Sequence, residues 1–206
     1  MRWKVCGLKE YENIKKVAAY GPDFLGFIFY PKSPRYVGPD FHLPEIPVKI
    51  KKVGVFVNEP IDAVEQMVRN YSLDYAQLHG EETAEEIQEL RRRGLQIIKA
   101  VSVDSPEDFK DLEKLEVNFF IFDTKVNGER GGTGKKFDWN IIPEGFSKPF
   151  LLAGGLSIED LNTEFSHPNW LGWDFNSKLE IEPGLKDLTK VEALSKEINK
   201  LRRWQS

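Results

Sequence analysis

The chain contains short apolar runs that do not alternate with polar residues, and most of them stop at a polar or glycine residue. Such runs are typical of strands that are buried on both faces, as in a parallel sheet. The pattern predicts eight strands, at residues 2–6, 24–29, 52–57, 75–78, 95–101, 119–122, 150–153 and 170–175. Because parallel strands need a crossover between them, the intervening segments decide the fold.

These intervening segments are helical or rich in turn-forming residues. Their spacing predicts helices over residues 9–20, 59–71, 81–93 and 188–204, and we expect Ser105 and Ser157 to begin two more. The connection 38–47 contains three prolines, which allow only a short or broken second helix. Eight βα units in 206 residues favour an α/β fold, a (β/α)8 TIM barrel, over a doubly wound open sheet. We expect a single compact domain over residues 1–206.

Bulk composition narrows the functional classes. The net charge is −4 with acidic and basic residues interspersed, which argues against a general nucleic-acid binder. No apolar run approaches the roughly 18 residues of a membrane span, and we expect no secretory leader. The one cysteine, Cys6, excludes an internal disulfide and favours a reducing, cytoplasmic location. Neither a dinucleotide fingerprint nor a P-loop occurs in the sequence.

Polar residues at the strand exits are the candidates for chemistry, because the βα loops carry the active site of such a barrel. Cys6 leaves the first strand and Asp123 the sixth, so the two can face each other as one base and one acid. A thiolate needs a nearby cation, and a proton-donating aspartic acid needs burial. The glycine-rich segment Gly128 to Gly134 suggests a loop that closes over the acid. The structural alternative is a small buried thiol and a loop-capping carboxylate.

Two exits have the features of a phosphate site. Gly154-Gly155 precedes the expected helix start at Ser157, so free N–H groups and the helix dipole could meet an anion. The eighth strand ends in a stretch that contains Asp174, Asn176 and Ser177, and strands seven and eight often share one phosphate site. The alternative for the glycine pair is a tight turn.

Three further residues near the strand exits are candidates for ligand contacts. Arg35 could grip a carboxylate bidentately, although most arginines are solvated. Gln77 is predicted to line the barrel interior near the mouth, on the side opposite to its strand neighbour. His79 is predicted to be a polar wall residue, with a core histidine bound to backbone as the alternative.

Nine segments together resemble the phosphoribosylanthranilate isomerase family, in that family's order and over nearly the whole chain. They are KVCG at 4–7, GFIFYPKSPRYV at 26–37, VGVFVNE at 53–59, QLHGEE at 77–82, IKAV at 98–101, FDTK at 122–125, GGTGKKFDW at 131–139, LAGGL at 152–156 and EPGLKD at 182–187. The resemblance implies a (β/α)8 barrel of tryptophan biosynthesis. Its reaction would be the Amadori rearrangement of N-(5-phosphoribosyl)anthranilate to 1-(o-carboxyphenylamino)-1-deoxyribulose 5-phosphate, without cofactor or metal.

The resemblance also implies roles for individual residues. Cys6 matches the family's general base and Asp123 its general acid. Arg35 matches the arginine that holds the anthranilate carboxylate. Gly154-Gly155 and the exit from Asp174 to Ser177 match the phosphate-binding loops.

One departure and two other interpretations stay open at this point. Lys178 replaces a glycine of the family, and it either adds a counter-charge or shifts the loop if the position needs a positive φ. The related histidine-pathway aminoimidazole isomerase uses two aspartates and repeated half-barrel phosphate sites, which Cys6 and the absence of a visible repeat disfavour. A barrel that only binds a phosphorylated ligand is the non-enzymatic alternative. We expect a small phosphorylated substrate, no nucleic-acid or membrane partner, and a monomer or homodimer.

Overall fold

The central feature of the fold is a closed barrel of eight parallel strands arranged in sequence order. The structure is a computed structural model and describes residues 1–124 and 138–204. The strands are β1 Arg2–Val5, β2 Phe24–Ile28, β3 Lys51–Phe56, β4 Tyr75–Leu78, β5 Ile97–Val103, β6 Phe119–Thr124, β7 Phe150–Leu152 and β8 Trp170–Phe175. Pairing of β1 with both β2 and β8 closes the barrel, so the predicted (β/α)8 fold is confirmed. The expected lid, Gly128 to Gly134, lies outside the described residues.

Four α-helices pack around the described part of the barrel: α1 Tyr11–Ala19, α2 Ile61–Asn70, α3 Ala84–Arg92 and α4 Leu188–Trp204. The helix α3 begins with a reciprocal cap, in which Thr83 Oγ1 accepts from the Glu86 N–H and the Glu86 carboxylate accepts from the Thr83 N–H. None of the helices in the described residues has the length and apolar character that crossing a bilayer requires.

The helices expected after Ser105 and Ser157 are short 3-10 helices and not α-helices. Ser105 is followed by the 3-10 segments Pro106–Phe109 and Leu112–Lys114, because the chain is extended at Lys110 and left-handed at Asp111, with φ +66°. Ser157 is followed by a five-residue 3-10 helix, Ile158–Asn162, because the chain turns extended at Thr163. Both starts keep a polar cap, since Asp108 accepts from the Ser105 N–H and Asp160 from the Ser157 N–H.

The proline-rich connection between β2 and β3 contains turns and no helical segment, the extreme case of the broken helix that the sequence predicts. The side chain of Phe41, and not a helix, packs on the strands there. Its ring lies against Phe27, Phe29 and Tyr71, with ring centroids 5.5, 6.1 and 5.5 Å away. An aromatic cluster therefore covers the outer face of these strands.

Two features near the mouth differ from the predicted strands. The fifth strand extends to Val103, so Ser102 lies within it instead of at its exit. After β8 the chain forms a 3-10 turn, Ser177–Leu179, and then an antiparallel hairpin of β9 Glu180–Glu182 and β10 Leu185–Lys186. The sequence analysis did not predict this hairpin, which lies beside α1.

The barrel interior changes from apolar to polar towards the mouth. An apolar cluster contributed by β2, β3, β5, β6 and β7 includes Phe24, Val53, Ile98, Ile121 and Leu151. Because side chains alternate along a strand, residue 123 shares the inward face of residue 121. The buried polar residues Lys4, Gln77 and Asp174 join it, and Lys4 and Asp174 are register partners on β1 and β8. The core thus supports a layer of polar side chains at the carboxyl end.

Candidate active site

A cavity of about 320 Å³ opens at the carboxyl ends of the strands. All ten residues singled out from the sequence line it: Cys6, Arg35, Gln77, His79, Asp123, Gly154, Gly155, Asp174, Asn176 and Ser177. The strands bring these residues together because every βα exit of a parallel barrel faces the same side. Apolar wall residues such as Ile28, Val55 and Ile121 complete the lining.

Cys6 lies directly after β1 as a buried free thiol. Lys4 stands two residues earlier on the same face of β1, and its Nζ lies 2.8 Å from Asp174 Oδ2. Burial alone would lower the pKa of Lys4, but Asp174 and Cys6 together raise it, so the ammonium group stays charged. Burial raises the pKa of the Cys6 thiol, and the Lys4 charge offsets part of that rise. Lys4 is thus the cation that a cysteine base needs.

Lys4 is a residue that the sequence analysis missed. It is fully buried, and a lysine rarely occupies such a position without a partner. The available signal was a charged residue inside an apolar strand, two positions before the cysteine. Its partner, 170 positions away, could not be identified from that signal.

Asp123 reaches the cavity from the end of β6, and its Oδ1 accepts a hydrogen bond from the Thr124 N–H at 2.7 Å. The carboxyl group is partly accessible through the cavity but largely surrounded by protein. This desolvation raises the pKa of Asp123 to about 6, against the opposing backbone hydrogen bond, and the negative charge of Asp174 adds to the rise. The group is therefore poised between a proton donor and a carboxylate near neutral pH.

The glycine pair after β7 has the left-handed backbone that glycine favours, with φ +95° at Gly154 and +61° at Gly155. The prediction that an α-helix dipole follows this glycine pair is wrong, because only the 3-10 helix Ile158–Asn162 follows it. Five residues align too few peptide dipoles for a substantial terminal charge. An anion at this exit would depend on individual backbone N–H groups.

The residues at the exit of β8 are of two chemical kinds, a carboxylate and hydrogen-bond donors. Asp174 is a carboxylate ion-paired with Lys4, and its Oδ1 is buried without a hydrogen-bond partner among the described residues. An anion of this kind repels phosphate and suits a hydroxyl donor instead. Asn176 and Ser177, which also line the cavity, carry the groups at this exit that can donate to phosphate.

Lys178 stands where the family has a glycine, and its backbone does not use the conformational freedom of glycine. It lies in the 3-10 turn Ser177–Leu179, is exposed, and does not have a positive φ. It is also absent from the cavity lining within the described part of the chain. The position therefore has no positive φ in this chain.

The remaining predicted contacts have contrasting surroundings. Gln77 is buried, and its Oε1 has no hydrogen-bond partner in residues 1–124 and 138–204. His79 lies on the cavity wall, as the sequence predicts. Arg35 is held by Glu180 through Nε and Nη2. Within the same described residues, no group of three or more His, Cys, Asp and Glu side chains could hold a metal ion.

The fold and this cavity together define the class of the protein. A (β/α)8 barrel that collects a thiol, a carboxyl group, an arginine and glycine-rich backbone in one mouth cavity is a barrel enzyme for acid–base chemistry on a small anionic ligand.

Similarity to known proteins identifies the family. The sequence model of N-(5'-phosphoribosyl)anthranilate (PRA) isomerase matches residues 3–197. The N-(5'-phosphoribosyl)anthranilate isomerase of Parabacteroides distasonis is 42% identical, over 95% of this chain and 92% of that protein. The protein of the same name from Phocaeicola vulgatus is 40% identical, over 97% of each chain. The chain belongs to the phosphoribosylanthranilate isomerase family, whose members are isomerases of tryptophan biosynthesis.

Solved structures agree with this assignment. The crystal structure of phosphoribosyl anthranilate isomerase from Thermotoga maritima matches with a TM-score of 0.85 and 30% identity, over 97% of this chain and 99% of that one. A phosphoribosyl anthranilate isomerase in complex with reduced 1-(o-carboxyphenylamino)-1-deoxyribulose 5-phosphate matches with a TM-score of 0.82 and 30% identity, over the same shares.

Proposed function

We propose that this isomerase rearranges N-(5-phosphoribosyl)anthranilate to 1-(o-carboxyphenylamino)-1-deoxyribulose 5-phosphate, with Cys6 as general base and Asp123 as general acid. The observation that carries the assignment is that a thiol and a carboxyl group line one cavity, with a buried ammonium group beside the thiol. Burial raises the pKa of both groups, and for the carboxyl group the rise is to about 6. The Lys4 charge favours the thiolate, and desolvation favours the protonated carboxyl group.

The first step opens the sugar ring. Asp123 donates its proton to the furanose ring oxygen, the bond between C1 and that oxygen breaks, and the nitrogen lone pair forms the C1–N double bond of a Schiff base. Asp123 is left as a carboxylate. Its raised pKa favours this donation, because the protonated form is retained up to about pH 6.

The second step removes the proton from C2. The Cys6 thiolate takes this proton, and the electron pair moves to give an enolamine, which tautomerises to the ketone. Lys4 keeps a positive charge beside the sulfur and so favours the thiolate. The positive charge acts at short range within a buried site, where electrostatic interactions are stronger than in water.

Substrate binding uses two groups of residues in the cavity. Arg35 would pair with the anthranilate carboxylate, and Gly154, Gly155, Asn176 and Ser177 would hold the phosphate. The free Oδ1 of Asp174 faces no donor in the described residues and would accept a ribose hydroxyl. Gln77 and His79 would contact the middle of the substrate from the wall.

The protonation states predict a plateau-shaped pH profile. The pKa of Asp123 is about 6, and that of Cys6 lies above its ordinary value of 9.0. Protonated Asp123 together with thiolate Cys6 is therefore a minor form of the singly protonated pair. This form becomes more abundant as the pH rises through about 6 and declines above the pKa of the thiol.

Steady-state kinetics on N-(5-phosphoribosyl)anthranilate test the proposal. Cys6→Ser and Asp123→Asn should each lower kcat by about 10²–10⁴-fold, because each removes one positioned proton-transfer group. The wild-type kcat/KM should rise through pH about 6. Asp40→Asn is the matched control, since Asp40 is an exposed carboxylate outside the cavity. Wild-type turnover by either site variant would contradict the assigned roles.

The proposal also covers partners and location. A homodimer is one candidate assembly, supported by a Thermotoga maritima relative whose structure is described as mutually generated monomers of a dimeric enzyme. A reducing, cytoplasmic compartment suits the mechanism, because Cys6 must stay a free thiol to act as a base. Sedimentation of the purified chain distinguishes a monomer from a dimer.

A further inference from the structure

Arg35 is fixed from behind by a buried carboxylate. Its Nε donates to Glu180 Oε1 at 2.9 Å and to Oε2 at 3.1 Å, and its Nη2 donates to Oε2 at 2.7 Å. The Glu180 side chain is 6% exposed, whereas that of Arg35 is 20% exposed. In the described part of the chain Nη1 has no hydrogen-bond partner, so this end of the guanidinium group is available to a ligand in the cavity.

Lys186 joins this ion pair to Asn176. Its buried ammonium group donates to Glu180 Oε1 at 2.8 Å, to Asn176 Oδ1 at 2.8 Å and to the Asn176 carbonyl at 3.2 Å. Burial would raise the pKa of Glu180, but Arg35 and Lys186 together lower it, so the carboxylate stays ionised. Burial lowers the pKa of Lys186 to about 8, which leaves it mainly charged at neutral pH.

The β9–β10 hairpin holds Arg35, Glu180 and Lys186 in place. The Asn13 side chain on α1 exchanges two hydrogen bonds of 2.9 Å with the backbone of Lys186. The Gly184 N–H donates to Glu180 Oε1 at 3.1 Å. The whole cluster is therefore anchored to both α1 and the turn of the hairpin.

Arg35 and Asn176 also meet across Gly7. A Cβ at Gly7 would stand 2.6 Å from Asn176 Oδ1 and 2.8 Å from Arg35 Cδ, and the residue has φ +75°. The two cavity side chains thus pack over a backbone that tolerates no side chain.

We propose that Glu180 and Lys186 are positioning residues that fix Arg35 and Asn176 relative to each other. A ligand with a carboxylate at one end and a phosphate at the other is then gripped at a set separation. Neither Glu180 nor Lys186 belongs to the described cavity lining, so both act through their partners. The inference rests on the proposed function, which assigns Arg35 to the carboxylate and Asn176 to the phosphate.

Charge and entropy explain why such an arrangement favours binding. Arg35, Glu180 and Lys186 carry a net charge of +1, so the clamp does not cancel the attraction for an anionic substrate. A free arginine loses considerable rotamer freedom on binding, whereas a clamped one has already lost it. The arrangement should therefore act mainly on KM for substrates that carry the carboxylate.

The experiment compares the anthranilate substrate with N-(5-phosphoribosyl)aniline, which lacks only the carboxylate. Glu180→Gln keeps the shape of the side chain and removes its charge. We expect KM for the anthranilate substrate to rise about tenfold or more, the loss of a charged hydrogen-bond partner, with kcat changed less than about threefold. KM for the aniline substrate should rise less, because Lys186 keeps its two hydrogen bonds to Asn176.

Two further variants sharpen the comparison. Lys186→Met should raise KM for both substrates, because it also releases Asn176 at the shared phosphate end. Lys190→Met is the matched control, since Lys190 is exposed and its Nζ donates to the backbone carbonyl of Glu180, at 3.3 Å, and not to the Glu180 carboxylate. It should leave both KM values unchanged.

The outcomes separate this inference from the proposed function. Equal losses of Glu180→Gln on the two substrates, or no loss on either, would overturn the positioning role. A wild type that turns over neither substrate would refute the proposed function instead. Should Glu180→Gln fail to fold, the double variant Glu180→Gln, Lys186→Met removes both buried charges together, and its KM for the anthranilate substrate must rise more than that for the aniline substrate.

Discussion

At Gly154 the backbone leaves no space for a side chain. A Cβ there would lie 2.3 Å from Thr124 Oγ1 and 3.0 Å from Asp123 Oδ1, and φ is +95°. This glycine therefore lets the exit of β7 approach the proposed acid on β6 closely enough to desolvate it. The sequence marked Gly154 as a phosphate contact, and the structure adds its steric role beside Asp123.

Gly154→Ala is predicted to affect both stability and activity. The left-handed φ and the contact with Thr124 should lower the free energy of unfolding by about 1–3 kcal/mol. Displacement of Asp123 should lower kcat/KM by about a hundredfold, the effect of misplacing a catalytic group. Denaturant unfolding and steady-state kinetics measure the two effects.

Gly145→Ala provides the control for that substitution. Gly145 has no atom within 4 Å of a built Cβ and no positive φ. It should change neither stability nor turnover appreciably. If the two alanine variants behaved alike, the steric role of Gly154 would be wrong.

At the level of elements, one buried ion pair organises the exits of β3 and β4. Lys99 on β5 donates to the Gly80 carbonyl at 2.7 Å and to Glu82 Oε2 at 2.9 Å. Glu82 in turn accepts from the Asn58 N–H at 2.9 Å and from the Gly80 N–H at 3.0 Å. Burial would raise the pKa of Glu82, but Lys99 and the Asn58 N–H lower it, so the carboxylate stays ionised beside Lys99. It holds the loop that presents His79 to the cavity.

Lys99→Met is predicted to destabilise the protein by about 3–5 kcal/mol, because it leaves the Glu82 carboxylate buried without its cation. Chemical denaturation measures the loss. The control is Lys196→Met, which removes an exposed pair with Glu192 and should have an effect below about 1 kcal/mol.

A second substitution tests the coupling within this pair. Glu82→Gln added to Lys99→Met should recover part of the lost stability, because the two residues act as one unit. Strictly additive losses would show that the pair does not organise these exits.

At the scale of the whole molecule, the proposed acid makes global stability depend on pH. The pKa of Asp123 is about 6 when folded, against an ordinary value of 3.8. The folded state therefore prefers the protonated form, and this contribution is fully present below about pH 3.8 and lost as the pH rises through about 6. Glu82 and Glu180 behave oppositely, since their lowered pKa values contribute stability that is lost on acidification below about 4.5.

Asp123→Asn is predicted to stabilise the protein at pH 7 by up to about 3 kcal/mol, at the rate of 1.36 kcal/mol per pK unit. An amide oxygen keeps the Thr124 hydrogen bond without the buried charge. The difference in unfolding free energy between variant and wild type should be measured from about pH 4 to 7. It should grow as the pH rises to about 6 and then level off. Because both proteins share the other titrating groups, a constant difference over this range would contradict the raised pKa. The gain in stability would accompany the loss of turnover, as is common at active sites.

The sequence alone determined the barrel and the end of it at which the candidate residues lie. Continuous apolar runs are local signals, because burial on both faces excludes polar alternation within each strand. The exits of those runs contain Cys6, Asp123 and the other candidate residues, which all line one cavity.

Only the tertiary structure decided how the candidates are paired and charged. Lys4 meets Asp174 across 170 positions and Arg35 meets Glu180 across 145. Such contacts depend on closure of the barrel and on the hairpin after β8, not on any local pattern. The pKa values follow for the same reason, since desolvation and distant charges exist only once the chain has folded.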